Sequence, residues 1–490
     1  MLKIHRLMVI LLTLGMMATG VSVAGVVGEI PISTTSDEAR QLFVKARDLF
    51  ENMRLDESRE LFEKAVAADP DFALAYLYRF LAGMSQNDSQ KYLQQAIDHA
   101  SRVSEGERLL IEAAQFDFSN KDKTSIQTLT TLVTEYPADK RSHYFLGLAY
   151  FNCLEVDSAI VALKRSIEIA DDFASAYNIL GYCYYQKEDY SEAETCFRNY
   201  SRLLPKEPNP YDSLGDLYTR MGKHNAAIEN YQKALSFNPR FSISHVKIGD
   251  NLVFMGQFDR ARETYRTAMS LEISPLQKIS DMQKIALSYV YEGNVAPAIP
   301  EIDRAIEIAI INDLPEKQAE ILLWKCNLYY ETNQLDQAEQ CLNRINALVA
   351  EYELSPNARE KLAKTQTYHE AILQAKLDNF TDAFLKAELF KTMIDTVRFP
   401  MEAEQYNTLL GALHFERNDY QTARQHLTHG NLNDPKTLYM LAVCESESGN
   451  KTKAIQLFKK VAHRNDYGMA DSFVRSKALD EEKRLLAGNR

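Results

Sequence analysis

The chain has 490 residues, 46% of them hydrophobic and 25% charged, and carries a formal net charge of −12. That composition is globular, while the acidic balance and the lack of any Lys/Arg stripe exclude nucleic acid as a partner. With only 18 Gly, 14 Pro and no low-complexity tract to act as a linker, so long a chain is searched first for internal repeats.

The first element is a leader. The stretch "MLKIHRLMVILLTLGMMATGVSVAGVVGE" opens with Lys3 and Arg6, runs apolar, and ends in the small-residue pattern Ser22-Val23-Ala24. This layout predicts a secretory signal over residues 1–24, cleaved after Ala24. The alternative is an uncleaved membrane anchor over residues 7–27, since Leu7 to Val27 is charge-free and long enough to span a bilayer. Gly15, Gly20 and Gly25 dilute that run and favour cleavage. In both cases the basic flank stays inside and the body is exported, periplasmic or extracellular. Membrane association, if any, runs through this N-terminal segment.

After the leader the chain repeats itself. In "SAYNILGYCYYQKEDYSEAETCFRNYSRLLP", Tyr177, Leu180, Gly181 and Tyr184 share one face of a helix, and Ala193, Phe197 and Tyr200 share one face of the next. Moved on by 34 residues, Tyr177, Leu180, Gly181, Tyr184, Ala193, Phe197 and Pro205 fall on Tyr211, Leu214, Gly215, Tyr218, Ala227, Tyr231 and Pro239. Small residues at Gly181 and Ala193 allow two helices to approach closely, aromatics fill the space around them, and Pro205 ends the unit.

Units of this kind start near Ala39, Ala73, Gly106, Lys140, Ala174, Pro208, Ser242, Ile279, Ala319, Lys364, Glu404 and Pro435. The stretch 140–275 is the most regular. The unit near Ala73 has Tyr92 at the small second-helix site, and "INDLPEK" (Ile311 to Lys317) and "YELSPNAREKLA" (Tyr352 to Ala363) break the period, as bends or as longer helices. Met469 to Leu486 reads as a charged helix within a capping segment, residues 469–490.

The schedule resembles the tetratricopeptide repeat, whose pattern is W-x2-L-G-x2-Y, A-x3-F and a closing Pro. The resemblance covers residues 39–468 and implies an all-α, right-handed superhelical solenoid of about twelve helix-turn-helix units. It also implies that first helices line a concave groove, with positions 2, 5, 9, 12 and 13 of each unit turned into it. Carried onto this chain, those positions give Tyr144, Leu148, Phe151, Asn152, Asn178, Tyr182 and Tyr185, then Asp212, Asp216, Arg220 and Asp250. The first group suits burial and stacking of an extended peptide; the second, acidic stretch suits a basic end. The competing expectation is that these tyrosines merely cover seams between repeats. The Lys of the family's carboxylate clamp has no counterpart at position 5 of any unit.

Few residues point to chemistry. His414, His426 and His429 lie on paired helices without HExxH, so a solvated face is expected rather than a metal site. Cys326 and Cys341 fall on the two helices of one unit, yet small buried thiols are the expectation. No Ser-nucleophile elbow, phosphate loop or dinucleotide turn occurs. The sequence therefore predicts a non-catalytic interaction scaffold outside the cytosol, without cofactor or metal, binding a protein or peptide. The alternatives are an envelope assembly or secretion factor held at the membrane and, behind it, a metal-dependent enzyme.

Overall fold

The structure is a computed structural model that describes residues 28–83, 86–119, 121–394, 400–465 and 467–487. The leader, and with it the choice between cleaved signal and anchor, lies outside the described residues. Among the described residues the regular structure is entirely helical, with 25 α-helices. None of these is long and apolar enough to cross a membrane.

Twenty-four helices form twelve successive pairs. Pairs one to three are Asp37–Glu51 with Leu55–Ala68, Ala73–Leu81 with Gln86–His99, and Glu105–Phe118 with Asp122–Glu135. Pairs four to six are Lys140–Asn152 with Val156–Ile169, Ala174–Gln186 with Tyr190–Leu203, and Asn209–Arg220 with His224–Phe237. Pairs seven to nine are Ser242–Phe254 with Phe258–Leu271, Pro275–Tyr291 with Ala298–Ile311, and Pro315–Glu331 with Leu335–Glu351. Pairs ten to twelve are Pro356–Lys376 with Phe380–Thr392, Pro400–Glu416 with Tyr420–Leu427, and Pro435–Glu447 with Lys451–Ala462. The last helix is Met469–Ala487. The fold is the expected all-α array of helix-turn-helix units.

Local chemistry sets the ends. Ser104 and Glu107 form a reciprocal capping box, and Asp139, Ser355 and Asp434 accept backbone N–H groups at other helix starts. Pro275, Pro315, Pro356 and Pro435 open their helices, where a missing N–H costs nothing. Within pair four the chain reverses through Leu154 at φ 63, with Glu155 N–H donating back to Tyr150 O at 2.9 Å. This left-handed closure recurs at Glu188, Gly222, Gly256 and Gly293.

The helices of a pair are held by size complementarity. A Cβ on Gly181 would stand 2.5 Å from Phe197, and one on Gly249 would stand 2.4 Å from Tyr265. The absent side chain is the seat of the ring opposite. Ala159, Ala193, Ala227 and Ala261 are fully buried on the second helices, and Ser58 and Ser125 take that site in pairs one and three. Burying a ring such as Phe197 contributes about 1.5–3 kcal/mol.

The breaks in period are longer helices. First helices of pairs eight to ten have 17, 17 and 21 residues, against 13, 13 and 12 in pairs four to six. Tyr352 to Ala363 becomes a short turn and the first turns of the Pro356–Lys376 helix, capped by Ser355.

The chain divides into two compact units, one reaching Met221 and including Glu229–Pro239, the other holding Gly222–Ile228 and Arg240–Arg490. In the first unit, residues 30–35 form no helix and lie against pairs one, three and four. Ile30 N–H donates to Asp139, Ser33 N–H to Glu107 at 2.7 Å, and Thr35 N–H to Asp69. Ile30 and Ile32 are buried. Pair one also meets pairs four and five: Glu51 takes Arg141 at 2.9 Å and Arg47 at 3.7 Å, and its carbonyl accepts Ser175 Oγ at 2.7 Å.

In the second unit one apolar cluster joins Ile279, Ala286 and Val290 of pair eight to Leu438 and Phe458 of pair twelve. Phe473, Val474 and Ala478 of the last helix belong to it as well. The Met469–Ala487 helix therefore packs both on pair twelve and on Pro275–Tyr291. Just before it, Tyr467 stacks on Tyr291 at 5.0 Å and donates to Lys284 O at 3.1 Å.

Candidate functional site

The expected groove residues of the first unit sit on the first helices of pairs four to six, where neighbouring pairs face one another. Tyr144 is 5% exposed and meets Phe173 edge-on at 5.2 Å. Burial, with the Glu51 charge nearby, pushes its phenol above the usual range. Leu148 is fully buried. Asn178 and Asp212 are buried too.

Pairs five and six are joined by a polar chain. Ser213 Oγ donates to Asn178 Oδ1 at 3.0 Å. Tyr182 donates to Asp216 Oδ2 at 2.9 Å and packs edge-on against Phe197 at 5.0 Å. Tyr231, from the second helix of pair six, donates to Asp216 Oδ1 at 2.8 Å. Burial first, then the Asp216 charge, raises both phenols. A carboxylate that accepts two buried hydroxyls is an internal acceptor, and such bonds are stronger than neutral ones.

Six expected residues keep partial exposure on the same helices: Tyr182 and Asp216, which bond each other, and Phe151, Asn152, Tyr185 and Arg220. The Arg220 guanidinium lies 5.7 Å from the Tyr185 ring centre and 3.6 Å from Glu188. These side chains lie near the C-terminal ends of their helices, and the ring and guanidinium present both an apolar and a polar surface.

Asp250 belongs to the second unit, where it takes Tyr265 Oη at 2.7 Å and Lys284 Nζ at 2.8 Å. Burial pushes its carboxyl up, against the pull of Lys284. Here too the acid already has internal partners.

The histidines expected on a helix face are tied individually. His414 Nδ1 lies 3.0 Å from Asp419 and stacks on His426, whose Nδ1 lies 3.2 Å from Asn407 Oδ1. Among the described residues no group of three or more His, Cys, Asp or Glu is placed to hold a metal. Cys326 and Cys341 are buried free thiols. Burial pushes Cys326 up to about 12 and Cys341 up to about 11.

Sequence reasoning read position 5 of the later first helices only for the carboxylate clamp and named no groove residue there. Tyr368, Thr408 and Tyr439 occupy groove position 5 of pairs ten to twelve, and all three line a cavity of about 660 Å³ in the second unit. The family positions, applied beyond pair seven, were the signal that could have found it.

Tetratricopeptide repeat family models match residues 43–104, 174–203, 213–241, 244–272 and 436–465. No curated protein sequence matches the chain. Among solved structures, a tetratricopeptide repeat protein from Parabacteroides merdae is 18% identical, with a TM-score of 0.37 over 52% of this chain and 99% of its own. MamA is 24% identical with a TM-score of 0.30, over 32% of this chain and 93% of its own. YrrB, described as a TPR protein with an unusual peptide-binding site, is 20% identical with a TM-score of 0.29, over 38% of this chain and 94% of its own. The matches at 174–203, 213–241 and 244–272 fall on pairs whose glycines and rings interlock as described, and the chain is a tetratricopeptide repeat protein.

Proposed function

We propose that the protein is a non-catalytic scaffold outside the cytosol that binds an extended segment of a protein partner through its first unit. The observation that carries this reading is the way the array holds its own residues 30–35. Backbone N–H groups of Ile30, Ser33 and Thr35 each meet one carboxylate, supplied by Asp139 at the start of pair four, Glu107 in pair three and Asp69 at the end of pair one. Two isoleucines are buried along the way. A repeat array that supplies carboxylate acceptors from several pairs suits an extended chain, because backbone donors recur along such a chain at a regular rise.

For an external partner, Phe151, Asn152, Tyr185 and Arg220 are the contacts supported by exposure. Tyr144, Leu148, Asn178 and Tyr182 hold the helices on which those contacts stand. A preformed surface confines the ordering cost to the partner. The leader's basic start and small-residue end support export.

The test is co-purification from the native envelope with the full chain as bait, comparing wild type with Phe151→Ala plus Tyr185→Ala. Partner capture should fall at least tenfold while the unfolding midpoint stays within a degree or two of wild type. Undiminished capture by the double variant would refute the assignment of the surface.

A further inference from the structure

The cavity in the second unit has a composition that the scaffold reading does not use. Its walls come mainly from the first helices of pairs nine to twelve, with Phe390 of the second helix of pair ten and the first turns of the last helix. Ile372, Phe390, Phe415 and Met440 supply an apolar body, and Met469 and Val474 close one side. At about 660 Å³ it has the size of a small-molecule site.

One end is charged. Glu331 lies 2.8 Å from Lys436 and 3.5 Å from Lys477. Lys376 pairs with Glu416 at 2.9 Å, and its charge also acts on Glu331. This linked group holds three ammoniums and two carboxylates. Burial alone would push Glu331 up, yet Lys436, Lys477 and Lys376 outweigh it and hold the carboxyl below its usual range. Lys364 on the same wall is taken by Glu402 at 3.0 Å. Asp434 caps its own helix by accepting from Thr437.

His369 lies in the same wall. Its Nδ1 is buried with no hydrogen-bond partner among the described residues. Burial and the nearby Lys436 charge hold the imidazole down at about 4, so it is neutral at pH 7. A buried ring nitrogen without a partner is costly, and a ligand atom would relieve it.

We propose that this cavity binds a small amphipathic monoanion, a carboxylate or sulfonate head on an apolar body, with the head beside Lys436, Lys477 and His369. The anionic head meets Lys436 and Lys477, which share the single carboxylate of Glu331, and the body fills the space between Phe390, Phe415 and Met440. Neutral apolar molecules lack the contact with the ammoniums, and di- or trianions bring further charge against Glu331, Glu416 and Asp434.

The probe is anilinonaphthalene sulfonate, titrated by fluorescence into the full-length protein, with uncharged phenylnaphthylamine as the control for the apolar body. Saturable binding of the anion at one site per chain is expected. Lys436→Met plus Lys477→Met should weaken the anion about tenfold and leave the neutral probe within about twofold. Glu331→Gln, which frees both lysines, should tighten the anion about tenfold, an effect opposite in sign to damage. Ala470→Phe, which adds a ring to the cavity wall, should weaken both probes, and decanoate should displace the sulfonate. Failure of the folded wild type to bind the anion saturably overturns the proposal. So does an affinity that Glu331→Gln lowers or leaves alone, or that Ala470→Phe does not change.

Discussion

Gly215 tests the packing rule on which the array rests. An added Cβ would stand 2.4 Å from Tyr231 Cε1 and 2.6 Å from Cδ1, whereas ordinary contact begins near 3.4 Å. The ring must therefore retreat by roughly 1 Å. It has little freedom to do so, because Tyr231 is 1% exposed and its hydroxyl is held by Asp216 at 2.8 Å and Thr219 at 3.2 Å.

Two effects oppose each other in Gly215→Ala. Helix propensity favours alanine by about 1 kcal/mol. Overpacking costs about 1–3 kcal/mol, and displacing the ring strains a charge-assisted bond of about 1.5–3 kcal/mol. The clash wins, with a net loss of about 2 kcal/mol expected. With Tyr231→Ala already in place the ring is gone, so adding Gly215→Ala should be neutral or stabilising. The cycle then shows a coupling of about 2 kcal/mol or more. Urea unfolding followed by circular dichroism measures all four proteins. The reasoning fails if Gly215→Ala is as stable as wild type, or if its cost is the same in both backgrounds.

Two further outcomes rest on separate features. Leu154 holds φ 63 at 71% exposure, so Leu154→Gly removes strain without losing packing and should stabilise by about 1 kcal/mol in the same unfolding assay; a loss would contradict the left-handed turn. Asp281 is fully buried with Oδ2 unpartnered, and burial pushes its carboxyl from 3.8 to about 6. The folded state thus binds the proton more tightly than the unfolded chain, and this group's contribution falls as pH rises from about 4 to about 6. Asp281→Asn should flatten that slope and add on the order of 1–2 kcal/mol at pH 7; an unchanged pH profile of the melting temperature would contradict it.

Much of the fold was legible because the repeat is local. Gly181 and Phe197 lie 16 residues apart in one unit, and the same spacing recurs at Gly215 with Tyr231 and Gly249 with Tyr265. Each pair settles its own small and bulky sites, so phase alone reveals the partners. The longer helices of pairs eight to ten were visible only as broken period, because extra turns at a helix start leave the interlocking sites where they were.

The site was legible only in part. Tyr182 and Tyr185 look alike in sequence, three residues apart on one helix. Both keep partial exposure, but Tyr182 bonds Asp216 of the next pair, while Tyr185 lies beside Arg220. Which of two neighbouring tyrosines meets the adjoining helix depends on the angle between pairs, and no pattern within one unit encodes that angle.

By itself, then, the chain's amino-acid order determined twelve helix pairs, their interlocking glycines and rings, and the repeat type that follows, since each is written within about 34 residues. Tertiary structure alone decided that Glu51 meets Arg141, that Tyr467 enters pair eight, and that lysines from pair twelve and the last helix share Glu331 of pair nine. Those contacts join residues about 90 to 180 apart, and they form only where small rotations accumulated over several pairs return one helix to another.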